Sequence, residues 1–134
     1  MTAILVDSNV ILDLFTEDPN WSDRSSAALA EATETTRLVI NPIVYAEVSI
    51  HFQRIEDLDV ALPRDRFIRE PIPFEAAFLA GKVFLNYRRH GGPRPSPLPD
   101  FFIGAHAAVA GHRLLTRDPA RFRAHFPTVG LITP

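Results

Sequence analysis

Short apolar runs alternate along this chain with longer stretches in which apolar residues recur at three- and four-residue intervals. The runs Ala3-Ile4-Leu5-Val6, Arg37-Leu38-Val39-Ile40, Arg66 to Glu70, Arg113 to Thr116 and Val129 to Ile132 have the length and content of strands. The first two read as strands buried on both faces of a parallel sheet. Pro71 and Pro73 follow the third run and cannot donate to a ladder, which marks it as edge-like. Helical spacing predicts helices from about Val10 to Phe15, Trp21 to Thr33, Pro42 to Phe52, Ile55 to Leu62, Phe74 to Arg89, Phe101 to Gly111 and Ala120 to Phe126. Asn41 caps the third of these, with Pro42 at the favoured first position. His90 to Pro99, rich in glycine and proline, reads as a loop.

Strands alternating with helices predict an α/β sandwich around a parallel sheet of about five strands, in one domain spanning residues 1–134. If the first strand lies beside the fourth and the chain winds away to opposite sides, the residues after both fall at the switch point where such sheets bind ligands. Those residues are Asp7, directly after Val6, and Asp118, in Thr116-Arg117-Asp118-Pro119.

Composition narrows the class further. With 46% apolar and 22% charged residues the chain reads as an ordinary globular protein. It contains no cysteine, which excludes disulfides and thiolate metal sites. Without a basic leader or an apolar stretch near the roughly 20 residues of a membrane span, the expected location is the cytoplasm. Charge is unevenly distributed: residues 1–84 hold 7 Lys and Arg against 14 Asp and Glu, and residues 85–134 hold 7 Arg against 2 Asp. An arginine-rich half suits phosphate and equally suits a solvated basic face.

Four carboxylates can meet in this fold: Asp7, Glu47, Asp100 and Asp118. Singly, each has a structural reading. Asp7 and Asp100 could cap helices, Glu47 could face solvent and Asp118 could form a turn before Pro119. Together they would repel and raise one another's pKa unless a cation neutralised them. Oxygen ligands without cysteine point to Mg2+, with Mn2+ as the alternative. Such an ion can acidify a bound water and neutralise a phosphoryl oxygen, chemistry suited to phosphodiester hydrolysis. The histidines form no HxxxH or HxH pair, so a zinc site and a catalytic histidine are not expected. Phe101 and Phe102 read as core.

Four segments in this order resemble the PIN-domain nucleases, and more narrowly the VapC-type ribonuclease toxins of type II toxin-antitoxin systems. They are Val6-Asp7-Ser8-Asn9-Val10, Asn41-Pro42-Ile43-Val44-Tyr45-Ala46-Glu47, Leu98-Pro99-Asp100-Phe101-Phe102-Ile103-Gly104-Ala105-His106 and Leu114-Leu115-Thr116-Arg117-Asp118-Pro119. Phe126-Pro127 and Leu131-Ile132-Thr133-Pro134 resemble the family's ending. The resemblance implies a PIN-like α/β/α sandwich and a Mg2+-dependent endoribonuclease leaving a 5′-phosphate and a 3′-hydroxyl. Its acidic residues carry over onto Asp7, Glu47, Asp100 and Asp118. Asp7, Asp100 and Asp118 would hold metal directly or through water, Glu47 would complete the site, and Asn9 and Thr116 would orient ligands or phosphate. Arg88, Arg89, Arg94 and Arg117 are candidate RNA contacts. The resemblance further implies an RNA substrate such as tRNA, a homodimer, and a VapB-like antitoxin whose C-terminal segment occupies the site.

Rival readings differ in what they require. A phospho-receiver domain needs a lysine after a late strand, whereas the only lysine, Lys82, lies within a predicted helix. An aspartate-nucleophile phosphatase usually has a second acid two positions after the first, where this chain has Asn9. A catalytically inactive PIN-like module that binds RNA or sequesters antitoxin stays open.

Overall fold

The computed structural model describes residues 3–91 and 98–134. Among them are five strands, β1 (Ile4–Val6), β2 (Leu38–Ile40), β3 (Phe67–Arg69), β4 (Arg113–Leu115) and β5 (Leu131–Ile132). The seven helices are α1 (Ser8–Phe15), α2 (Ser22–Thr35), α3 (Pro42–Ser49), α4 (Ile55–Ala61), α5 (Phe74–Arg89), α6 (Leu98–Ala110) and α7 (Pro119–His125). All strand pairs are parallel, in the order β3-β2-β1-β4-β5. The expected α/β architecture and the pairing of the first strand with the fourth are both present, and β3 and β5 form the edges.

Every residue of β1 and β2 is buried, as a strand covered on both faces requires. The chain leaves β1 toward β2 and β3, then crosses back to β4 and β5. With right-handed crossovers this puts α1 to α4 over one face and α5 to α7 over the other. The packing of α1 on α2 and α3, and of α6 on α5 and α7, agrees with that division.

The geometry of α6 sets the position of one of the four acids. The helix starts at Leu98, earlier than the expected start at Phe101, because Pro99 sits in the first turn, where a missing N–H costs nothing. Asp100 is therefore inside the helix and not its cap. At the other end Gly111 takes a left-handed φ of 73°, and the His112 N–H closes the helix on the Ala107 carbonyl at 2.9 Å. Midway, Gly104 lies against the Phe126 ring, where a Cβ would collide.

Candidate active site

At the carboxyl edge of the sheet, β1 runs directly into Asp7, whose backbone N–H still pairs with the Leu115 carbonyl of β4 at 2.9 Å. Asp7 occupies the N-cap position of α1, but its side chain makes no capping hydrogen bond. Its carboxylate accepts instead from Thr116 Oγ1 at 2.7 Å, and the same hydroxyl oxygen accepts the Asp118 N–H at 3.0 Å. One threonine thus ties the two strand-end aspartates together.

Glu47 faces this edge from α3 rather than solvent alone. Ser8, the first residue of α1, donates its hydroxyl to Glu47 Oε1 at 2.8 Å. Asp100 and Asp118 meet at Arg121 on α7: one guanidinium nitrogen is 2.6 Å from Asp100 Oδ2 and the other 2.7 Å from Asp118 Oδ2. Four separate segments therefore deliver one acid each, as the sequence predicts. Ser8 and Arg121 are participants that the sequence pattern does not single out. Ser8 could be suspected from its place beside Asp7, and Arg121 only from its charge.

Electrostatics confirm that the group is crowded. Asp7 is 4% exposed. Burial pushes its carboxyl up to about 6, the Thr116 hydroxyl pulls it down, and the charges of Asp100 and Glu47 add to the rise. Glu47 is raised by burial and by Asp100, against the Ser8 hydroxyl and Arg121. Asp100 is raised by burial and Asp118, against Arg121. Three carboxyls thus hold protons more tightly than in water, chiefly because burial penalises their charged forms, with neighbouring acids adding to it and Arg121 offsetting part of the rise at Glu47 and Asp100.

This donor set fits a hard divalent cation, which prefers oxygen and relieves such repulsion. Among the described residues no three of these acids bring their ligating oxygens all within 4.8 Å of one another. They would reach a shared ion by small side-chain rotations or through its waters, and Arg121 would have to yield its bridging position.

The remaining predicted residues divide. Asn9 accepts the Arg117 N–H at 3.3 Å and so steadies the turn after β4. Arg117, expected among the RNA contacts, turns toward α1 and α2. Its Nε is 3.2 Å from Oδ2 of buried Asp13, an ion pair without a hydrogen bond, while Asp13 accepts from the Ser25 hydroxyl; its guanidinium lies 5.1 Å from the Trp21 ring centre. Arg88 and Arg89 lie in the last turn of α5, Arg88 over Phe84. Arg94 lies outside the described residues. Phe101 is core, 1% exposed.

A second polar group is invisible to motif spacing. Glu70, His106 and His112 are the three side chains among the described residues whose ligating atoms do lie within 4.8 Å of one another.

Comparison with known proteins returns the same fold. No curated protein matches the chain. Among solved structures it is similar to VapBC2 from Rickettsia felis bound to a promoter DNA fragment, with a TM-score of 0.74 at 17% identity and 98% of each chain covered. It is likewise similar to VapBC-1 from nontypeable Haemophilus influenzae (TM-score 0.73, 21% identity, 98% of each chain). A toxin-antitoxin complex from Klebsiella pneumoniae is a third similar structure (0.72, 22%, 98% of each chain). At these identities the likeness establishes the fold. The PIN domain model matches residues 4–125 and includes all four acids. The chain belongs to the PIN-domain family.

Proposed function

We propose that this protein is a metal-dependent endoribonuclease, the toxin of a toxin-antitoxin pair. The observation that carries the proposal is the meeting of four acids from separate elements at the sheet's switch point, with Asp7 buried and its carboxyl pushed up to about 6. An inactive module would have no need to keep such an arrangement only partly compensated. Asp7, Asp100 and Asp118 would hold Mg2+ or Mn2+, with Glu47 completing the ring of charge. When bound, the ion would supply an acidified water and neutralise charge on the phosphoryl oxygen.

The chain's own residues have distinct tasks in this reading. Thr116 holds Asp7 and the backbone of Asp118 in fixed relation. Ser8 aims Glu47 from the start of α1. Arg121, already among the acids, would turn its guanidinium to the RNA phosphate once a cation takes over their neutralisation. Arg88 and Arg89 extend a basic rim along which RNA, such as a tRNA, would lie. Arg117 has a holding role, through Asp13 and Trp21.

The similar structures are complexes that contain an antitoxin, and this supports a VapB-like partner here. A groove lined by Ile11, Leu14, Phe15, Leu29 and Val60 on the α1, α2 and α4 side offers it an apolar seat. We extend the proposal to a homodimer acting in the cytoplasm. Among the described residues no helix is long and apolar enough to cross a membrane.

The test is cleavage of end-labelled structured RNAs by antitoxin-free protein and its Asp7→Asn variant, with Mg2+, Mn2+ or chelator. Metal-dependent cleavage leaving 5′-phosphate ends, lost in the variant, is expected. Identical behaviour of the two proteins on every RNA would sink the nuclease reading and favour RNA binding without cleavage.

A further inference from the structure

The second polar group connects the two helices that carry Glu47 and Asp100. His106 is fully buried on α6. Its Nδ1 lies 3.1 Å from Asn41 Nδ2, and its Nε2 lies 2.9 Å from Glu70 Oε1. Asn41 fixes the direction of both contacts. Its Oδ1 is already engaged, accepting the Val44 N–H at 2.9 Å as the cap of α3. The amide nitrogen must therefore face His106. Nδ1 accepts, the ring proton sits on Nε2, and that proton is donated to Glu70. His112 repeats the pattern, with the Ala3 N–H directed at Nδ1 from 3.4 Å and Nε2 donating to the same Glu70 oxygen at 2.8 Å.

These directions argue against a metal at Glu70, His106 and His112. An ion would take both Nε2 lone pairs and move each proton to Nδ1. There it would meet the Asn41 amide and the Ala3 N–H, which are both donors. Histidine ligands instead present their second N–H to an acceptor. The group is a hydrogen-bonded clasp around one carboxylate.

The position of the clasp suggests its purpose. Asn41 caps α3 six residues before Glu47, and His106 follows Asp100 on α6 by six residues. These helices pack on each other at the site, although they come from opposite layers of the sandwich. Apolar packing alone is non-directional and leaves register soft. A buried hydrogen bond between the cap of one helix and the interior of the other fixes it.

We propose that His106 is a positioning residue for the acidic group. Through Asn41 it holds α3 and α6 in the register that brings Glu47 and Asp100 toward Asp7. The inference rests on reading that group as a divalent metal site.

Two substitutions separate this role from mere filling of the core. An asparagine places its amide oxygen where Nδ1 stands, so His106→Asn keeps an acceptor for Asn41 and loses Glu70. A glutamine places its amide nitrogen near Nε2, so His106→Gln keeps a donor for Glu70 and loses Asn41. Asn41→Ser provides an independent break, since serine still caps α3 but cannot reach His106. Mn2+ binding would be read from the electron paramagnetic resonance signal of the free ion, well below each variant's melting temperature, with Asp7→Asn alongside.

His106→Gln and Asn41→Ser are expected to weaken Mn2+ binding about tenfold, with His106→Asn within about twofold of wild type, following the usual cost of removing support behind a metal ligand. Wild-type affinity in both His106→Gln and Asn41→Ser would overturn the positioning role. Equal weakening in His106→Asn and His106→Gln would overturn it too, by assigning the effect to the imidazole's bulk. Should His106→Gln fail to fold, Asn41→Ser alone decides. Absence of Mn2+ binding in wild type, or its persistence in Asp7→Asn, would instead overturn the reading of the acidic group.

Discussion

The two polar groups of this protein are built from the same residue types and solve opposite problems. At Glu70 one carboxylate accepts from two imidazoles, and the far nitrogen of each imidazole faces its own donor. Burial alone would raise the Glu70 pKa, but the His112 and His106 hydrogen bonds outweigh it and hold the group below the usual range. At Asp7 burial and two neighbouring acids outweigh the Thr116 hydroxyl and the Ser8 backbone N–H, and the carboxyl rises. The two groups differ in the sign of the imbalance: hydrogen bonds prevail over burial at Glu70, and burial prevails at Asp7. In the proposed reading the second kind is the one that a cation would relieve.

The sharpest way to break this contrast is pH. For Asp7 the unfolded value is 3.8 and the folded value about 6, so the folded state binds the extra proton in between. Its ionisation costs stability at neutral pH, and the cost is relieved as pH falls through about 6 toward 4. Wild type should gain about 2.4 kcal/mol relative to Asp7→Asn between pH 7.5 and 4 in metal-free urea titrations, at about 1.4 kcal/mol per pK unit. A parallel pH dependence in the two proteins would place Asp7 among the satisfied groups. At neutral pH the same variant should be as stable as wild type or more so.

Glu70→Ala should do the reverse. It strands two imidazole N–H groups and should cost about 2 kcal/mol in urea unfolding at neutral pH, discounted because Glu70 is partly exposed. An unchanged midpoint would show that the clasp contributes nothing to the fold.

Cation addition tests the same contrast from the ligand's side. Mg2+ at a hundred times its dissociation constant should stabilise wild type by about 2.7 kcal/mol and leave Asp7→Asn unmoved, with smaller gains at lower excess. Thermal melting with and without the ion reads this directly. Arg121→Gln is the mildest change. Removing the cation that bridges Asp100 and Asp118 should lower metal-free stability by about 1 kcal/mol, because the pair is half-exposed. The stabilisation by Mg2+ should become larger in that variant, since the ion no longer competes with a guanidinium. A smaller increment would mean that Arg121 supports the site rather than occupying it.

Much of the fold is legible in the chain because its signals are local. Apolar runs such as Ile4-Leu5-Val6 and Leu38-Val39-Ile40 report strands wherever they occur, and the acid after β1 and the one closing the turn after β4 mark carboxyl ends once the sheet is parallel. The sequence pattern puts the start of α6 three residues late, because Leu98-Pro99 resembles the end of a proline-rich loop as much as the first turn of a helix. Ser8 and Arg121 escape it, since neither residue type marks itself at that spacing.

The sequence by itself determined the order and class of the elements and the four acids that the fold could bring together. Hydrophobic periodicity and residue chemistry act over a few positions, so they can be read along a line. The tertiary structure decided which groups are satisfied. Thr116 reaches Asp7 across 109 positions, and His106 and His112 reach Glu70 across 36 and 42. Those partners, and the donor or acceptor role left to each atom, exist only after distant segments have packed. Hydrogen-bond direction and desolvation depend on the neighbours in space, and in this protein they separate the clasp from the site.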